Sequence, residues 1–294
     1  MNNQNIVIAA LARDCEDSLR TNIPLIEELR ANFSWSQVVV VENDSIDGTK
    51  ELLNDWKINY ENVTIISTNY GTKTIPDKSD IIINPTTSYQ RIDKMVFYRN
   101  LYLDYIKEVN HPIDLVIIID IDVIEISLSG LLDVIGSFDN KTGAVFSNGM
   151  SIMRTPFGLS EIYYDIFAVW EYPILNEFSY SRESLARTFK SINKNVKKSS
   201  LYGVISAFGG VGVYNYQAIK NLHYKRVLNP LNKQEAICEH IPFNQEIIKQ
   251  GFNNYIARDF KVIYEKHNFT LLLKQVLPLK VFNFLYPIIL KIKK

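Results

Sequence analysis

From residue 6 to residue 119 short apolar runs alternate with longer stretches whose apolar positions recur every three or four residues. The runs at 6–10, 37–41, 63–67 and 115–119 are brief and rich in Val and Ile, and they read as strands. The stretches 18–31, 49–59 and 89–109 carry the helical period. Strands separated by helices of this length build βαβ units, and so an α/β fold with a mostly parallel sheet covered on both faces. In such sheets ligands sit in the crevice at the carboxyl ends of the strands. Arg13 and Asp14, then Glu42, Asn43 and Asp44, then Asp120 and Asp122 each follow a predicted strand. They are therefore expected along one crevice.

The second half is less regular. Residues 143–147 read as a further strand, and 150–200, rich in Tyr, Phe, Ser and Lys, as an irregular insertion with a helix near 161–170. A Gly-rich turn at 206–212 leads into apolar alternation up to Tyr214. The stretch 234–250 reads as a helix interrupted at Pro242, and 262–264 as a terminal strand. There is no internal repeat and no linker polar or long enough to separate two domains, so 1–268 is read as one domain.

The last segment, 269–294, differs from the rest. It mixes apolar residues with Lys274, Lys280, Lys291, Lys293 and Lys294, contains no acid, and is broken by Pro278 and Pro287. Two readings stand: a basic amphipathic segment lying on an anionic membrane surface, or a helix pair packed on the domain.

Composition narrows the classes. With 294 residues and 47% apolar content the chain can bury a large core. Thirty-two basic and thirty-two acidic residues cancel, so no overall charge steers it to nucleic acid. Cys15 and Cys238 are read as reduced thiols of a cytoplasmic protein. The start has no secretory pattern, and no window reaches about 18 uninterrupted apolar residues, so neither secretion nor a spanning helix is expected.

Chemistry concentrates at Asp120 and Asp122. Two carboxylates two residues apart on a strand face the same side and repel. A divalent cation answers that repulsion, and Mg²⁺ or Mn²⁺ takes a few protein oxygens while leaving positions for phosphate. A solvated turn is the plain alternative.

The wider series carries more information than the pair. It runs from Ala10-Leu-Ala-Arg-Asp14 and the Glu42-Asn43-Asp44-Ser45-Ile46-Asp47-Gly48-Thr49 segment, through Arg91 to Arg99-Asn100 and Asp120-Ile-Asp122, to Gly209-Gly-Val-Gly212, Cys238-Glu-His240 and His267. In this order the motifs resemble the GT-A glycosyltransferases, especially the family of fungal capsule α-1,3-mannosyltransferases and their bacterial relatives. That resemblance implies a Rossmann-like GT-A fold with a mixed, mostly parallel sheet. It implies a donor-binding half at 1–125 and an acceptor and catalytic half at 126–268. It also implies a metal, Mn²⁺ or Mg²⁺, held by Asp122 and His267, with Asp120 touching it through water or binding ribose.

By the same resemblance Ala10, Arg13, Glu42, Asp44, Arg91, Lys94, Arg99, Asp120, Gly209 and Gly210 line the donor, a GDP- or UDP-sugar. Glu239 becomes the catalytic-region carboxylate that meets the hydroxyl of a glycan or glycolipid acceptor. Asp47 and Thr49 are also ordinary turn and helix-cap residues. Glu235 and Glu239, four apart, are expected on one helix face. His111 and His223 are read as surface or packing residues. Whether transfer retains or inverts configuration stays open.

Two competing classes remain. A nucleotidyltransferase would also use acidic metal ligands, but it announces itself by a Gly-rich first loop, and residues 10–15 contain no glycine. A non-catalytic carbohydrate-binding scaffold would use Tyr163, Tyr164, Trp170 and Tyr172 as stacking platforms.

Overall fold

The computed structural model describes residues 2–75, 85–155, 158–171 and 180–264, with isolated positions at 273, 277, 278, 281 and 285. His267, Tyr172 and the reading of the 269–294 segment lie outside the described residues.

Four parallel strands form the first half of the sheet: β1 (Asn2–Ala12), β2 (Phe33–Asn43), β3 (Val63–Thr68) and β4 (Leu115–Asp120). They are joined by α1 (Glu16–Arg30), α2 (Thr49–Asn59) and α3 (Tyr89–Glu108). Alternate side chains of β1 serve opposite faces. Val7 and Ala9 pack with Tyr98, Tyr102, Leu103 and Ile106 of α3. Ile6, Ile8 and Ala10 pack with Leu19 and Ile26 of α1 and Trp56 of α2. Because both faces are covered, every residue from Ile6 to Ala10 is apolar and buried, each large one contributing roughly 1.5–3 kcal/mol.

The second half supplies β5 (Glu125–Ile126), α4 (Leu128–Gly136), β6 (Thr142–Thr155), β7 (Gly158–Tyr163), α5 (Arg182–Val196), β8 (Leu201–Val204), β9 (Val211–Asn215) and α6 (Tyr216–Ile219). A hairpin of β10 (Val227–Asn229) and β11 (Asn232–Ile237), then α7 (His240–Lys249) and β12 (Asn253–Ile263), complete it. The described strands make a ten-stranded sheet in the order β3-β2-β1-β4-β9-β6-β12-β5, with β7 beside β6 and β8 beside β12. β9 runs antiparallel to both β4 and β6, whereas β6 and β12 are parallel. The α/β fold with a mixed, largely parallel sheet flanked by helices is thus as expected. No helix among the described residues is long and apolar enough to cross a membrane.

Three expectations are corrected. The helix near 161–170 is instead β7 and a short 3-10 turn, Ile166–Ala168; the segment ending in Ile162 and Tyr163 pairs along β6, and a left-handed Asp165 follows it. The helix of that region lies later, in α5, where Leu185, Ile192 and Val196 hold the helical period within a polar stretch. The single helix over 234–250 is a strand followed by a helix, so Glu235 on β11 and Glu239 at the N-cap of α7 share no face. Pro242 falls in the first turn of α7, where a backbone N–H would have no intrahelical partner, and it interrupts nothing.

The Gly-rich turn is where β9 enters the sheet. Gly209 and Gly210 have φ of +67° and +95°, and a Cβ on Gly209 would lie 2.3 Å from the carbonyl oxygen of Ser147. Gly209→Ala is therefore expected to lose about 2 kcal/mol or more, read from the urea midpoint. Gly136→Ala, at the open end of α4, is expected to gain roughly 0.5–1 kcal/mol in the same assay.

Candidate active site

The carboxyl ends of β1, β2 and β4 lie level, since Ala12 pairs with Glu42 and Leu11 with Asp120. Beyond them opens a cleft of about 310 Å³. Three guanidiniums (Arg13, Arg91, Arg99) and four carboxylates (Asp120, Asp122, Asp165, Glu239) line it.

The loop carrying the Asp pair is held from behind. Asn22 of α1, fully buried, donates to the carbonyls of Ile121 at 2.8 Å and Val123 at 2.7 Å. The Ser18 hydroxyl donates to the Asp122 carbonyl at 3.3 Å, and the Asp120 amide donates to Gly210 at 2.8 Å. With its backbone tied, the loop turns both carboxyls toward the cleft. The Asp120 carboxylate accepts from the Tyr164 hydroxyl at 3.2 Å, and an Arg99 nitrogen lies 3.9 Å away. Burial first, and the Asp122 charge second, push Asp120 up to about 8. Desolvation by the cleft walls moves Asp122 in the same direction.

Arg99 of α3 and Glu239 form the opposite wall, Arg99 Nε donating to Glu239 Oε1 at 2.9 Å with both side chains almost wholly out of water. Burial works against the Arg99 charge, and Tyr102 and Glu239 more than offset it. The rings of Phe208 and Tyr224 lie 5.4 and 5.7 Å from the guanidinium carbon. His240, stacked on Phe208, is 1% exposed; burial and then the Arg99 and Arg91 charges keep it neutral, and its Nε2 has no partner.

The other sequence-selected residues divide by position. Arg13 reaches the cleft while donating to the Thr72 carbonyl at 2.9 Å and the Thr74 hydroxyl at 3.1 Å. Asp44 has left-handed backbone; burial opposes its charge, but hydrogen bonds from Asn43 and the Gly71 and Thr72 amides, with Arg13 nearby, hold its carboxyl below the usual range. Arg91 lines the cleft with its Nε unpaired. Glu42 is fully buried, and its oxygens accept from the Ser45 amide at 2.8 Å and from the Ser67 hydroxyl. Ala10 is buried inside the sheet, and Lys94 donates to the Lys73 carbonyl. Glu42, Asp44, Ala10, Lys94, Gly209 and Gly210 are not among the cleft-lining residues, although Asp44 adjoins Asn43, which is. Of the aromatic residues weighed as sugar platforms, Tyr164 lines the cleft, Tyr163 is buried in the core, and Trp170 is half-buried beside it.

Asn22, Asp165 and His240 were not selected from the sequence. Asn22 carries no local motif, and His240 enters only as the end of the Cys238-Glu-His240 motif, without a role of its own. Asp165 sat in a segment read as helix, although Tyr-Tyr-Asp between two apolar runs is a turn signal.

No group of three His, Cys, Asp or Glu among the described residues forms a metal cage. The two carboxylates nonetheless suit a hard cation that completes its shell with phosphate oxygens, because both line one cleft at the end of β4.

No protein-family model and no curated protein matches the sequence. Among solved structures, the chain is similar to the mannosyltransferase PcManGT from Pyrobaculum calidifontis, in complex with GDP-Man and Mn²⁺, at 12% identity and a TM-score of 0.50. The match covers 92% of this chain and 60% of that one, so this chain spans less than two thirds of its length. TarS 1–349 of S. aureus gives 12% identity and a TM-score of 0.44, covering 95% and 68% of the two chains. Glucosyl-3-phosphoglycerate synthase from Mycobacterium tuberculosis gives 12% and 0.42, covering 95% and 75%. At this identity the Pyrobaculum likeness is one of fold.

Two stability changes follow from the cleft. Glu239→Gln takes from buried Arg99 its nearest counter-charge, leaving Asp120 at 3.9 Å, and is expected to lose about 3 kcal/mol by urea denaturation, a loss that Arg99→Met combined with Glu239→Leu partly recovers. Asn22→Ala orphans two buried carbonyls and is expected to lose about 2 kcal/mol in the same assay.

Proposed function

We propose that this chain is a metal-dependent GT-A glycosyltransferase that moves a sugar from a nucleotide-diphospho sugar to a glycan or lipid-linked acceptor, in surface polysaccharide or glycolipid synthesis. The observation that carries the reading is the Asp120 and Asp122 pair at the end of β4, facing Arg13, Arg91 and Arg99 in one cleft at the carboxyl ends of three strands. Carboxylates for a cation and guanidiniums for phosphate, met in one place, suit a nucleoside diphosphate. The shared fold supports it, and the GDP-Man and Mn²⁺ of the Pyrobaculum structure make GDP-mannose the first donor to try.

In this reading Asp122 and Asp120 hold Mn²⁺ or Mg²⁺, with His267 as a further ligand. The bound cation would neutralise charge on the departing diphosphate. The chain's own groups do the rest. Arg91, with an unpaired Nε, and Arg13 take phosphate oxygens. Asn43, at the end of β2, offers both a donor and an acceptor to ribose or base, and Asp44 positions it through their mutual hydrogen bond of 3.1 Å. Glu42 shapes this corner from beneath by anchoring Ser45 and Ser67. Gly209 and Gly210 act as backbone that lets β9 reach Asp120. Glu239, whose Oε1 is held by Arg99, orients the acceptor side of the cleft and keeps Arg99 ionised beside Asp120. Residues 1–125 then supply the donor side and 126–268 the acceptor side, with 269–294 as the segment that meets a cytoplasmic membrane face.

The test is nucleoside diphosphate release from a panel of GDP- and UDP-sugars with Mn²⁺ and membrane-derived acceptor lipids. One donor is expected to react, and release is expected to fall at least about 100-fold with EDTA or in Asp122→Ala. Equal release in either condition overturns the metal assignment; no binding of any donor overturns the reading.

A further inference from the structure

Behind Asp165 the cleft has a neighbour. A second cavity of about 270 Å³ shares Arg91, Tyr164, Asp165 and Cys238 with the cleft, so these four side chains are the partition between the two spaces. Its remaining wall is mainly apolar and aromatic, including Tyr163, Phe167 and Tyr180, with Phe167 and Tyr180 edge-to-face at 5.3 Å. The Tyr163 and Tyr180 hydroxyls are already engaged with backbone groups, which leaves ring faces and edges as what these residues present.

Asp165 is the exception in that wall. It occupies left-handed backbone, φ 58°, at the start of a 3-10 turn that its side chain does not cap. Burial and the charges of Glu239, Arg91 and Arg99 act on its carboxyl, its charge is felt in turn by Asp120, and no hydrogen bond reaches it among the described residues. The balance, with burial leading, pushes it up to about 6. Arg91, the other charged group of the partition, likewise keeps its Nε unpaired. Glu239, by contrast, has one oxygen bound by Arg99 at 2.9 Å and the other 3.8 Å from the Cys238 sulfur. Its side chain therefore lines both spaces without serving its own turn, which leaves the carboxylate to meet a ligand.

A pyranose has a C–H face that aromatic rings cover and a rim of hydroxyls that a carboxylate accepts from. We propose that the second cavity is the subsite for the terminal pyranose ring of the acceptor, and that Asp165 accepts a hydrogen bond from the ring hydroxyl that faces the cleft. The proposal rests on the glycosyltransferase reading and adds to it the chemical class of the acceptor's end: a sugar ring rather than a phosphate, an amine or a bare lipid alcohol.

The test needs no donor. Methyl α- and β-pyranosides of glucose, galactose, mannose and N-acetylglucosamine are titrated into the protein and followed by saturation-transfer NMR. At least one is expected to bind the wild type in the millimolar range, and its affinity is expected to fall tenfold or more in both Asp165→Asn and Asp165→Gly. Asn and Gly both accept left-handed backbone, so a purely structural Asp165 would be spared by these changes, and thermal midpoints check that the fold is kept. A second measurement uses the wild type alone: saturating GDP or UDP with Mn²⁺ is expected to leave the glycoside bound. The proposal is overturned if no pyranoside binds, if the Asn and Gly variants bind as the wild type does, or if the nucleotide displaces the glycoside. A protein that binds the glycoside in this way but takes up no nucleotide keeps the subsite and loses the glycosyltransferase reading, so the two failures are told apart.

Discussion

The arrangement of the cleft depends on one buried ion pair, Arg99 with Glu239. Residues 140 positions apart in the chain meet there, one from the middle of α3 and one from the N-cap of α7. A pair this far from water contributes little net stability, because desolvating two charges nearly cancels their attraction. What it supplies is placement. Arg99 is set between the rings of Phe208 and Tyr224, and from that position it faces Glu239, Asp120 and, at longer range, Asp165. One guanidinium thereby stands within reach of three carboxylates from distant parts of the chain, and both walls of the cleft are built around the same cation.

The acidic residues at the strand ends show how far a sequence pattern reaches. The level at which Glu42, Asp44 and Asp120 would lie was readable, because strand alternation fixes where each run stops and a parallel sheet aligns the stops. Which of them faces a ligand was not. Glu42 turns inward and holds the turn at Ser45 and the neighbouring strand at Ser67, Asn43 takes the cleft position beside it, and Asp44 braces Asn43. That choice is made by partners such as the Ser67 hydroxyl on β3, which no local pattern joins to Glu42.

The first half of the fold was legible because its strands are buried on both faces and therefore almost wholly apolar, with amphipathic helices between them. The second half was harder for physical reasons. β7 carries apolar and aromatic residues that suit a strand or a helix, and only the edge offered by β6 decides between them. α5 is polar over most of its surface and buries just a narrow stripe, with Ile192 and Val196 at its centre. Asn22 and His240 act through tertiary contacts across the chain, so their roles emerge only when α1 and α7 are in place. Asp165 was hidden by the same helix reading that hid β7.

The insertion of β9 between β4 and β6 has a consequence for the protein as it is made. β4 is paired on one side by β1, which precedes it, but its other edge is satisfied by residues 211–215, which follow much later. At the usual ribosomal pace of about 5–20 residues per second, the apolar run from Leu115 to Ile119 emerges several seconds before its partner. During that interval a nearly complete half-sheet shows an open, β-branched edge, the kind of surface that pairs with other chains. The Asp120 and Asp122 carboxylates stand at the end of this edge, only Asp120 with Arg99 beside it, and their repulsion toward an identical neighbour would discourage in-register stacking until Gly210 and β9 arrive. A pair of charges that lines the cleft in the finished molecule would thus also act as a gatekeeper for the nascent one.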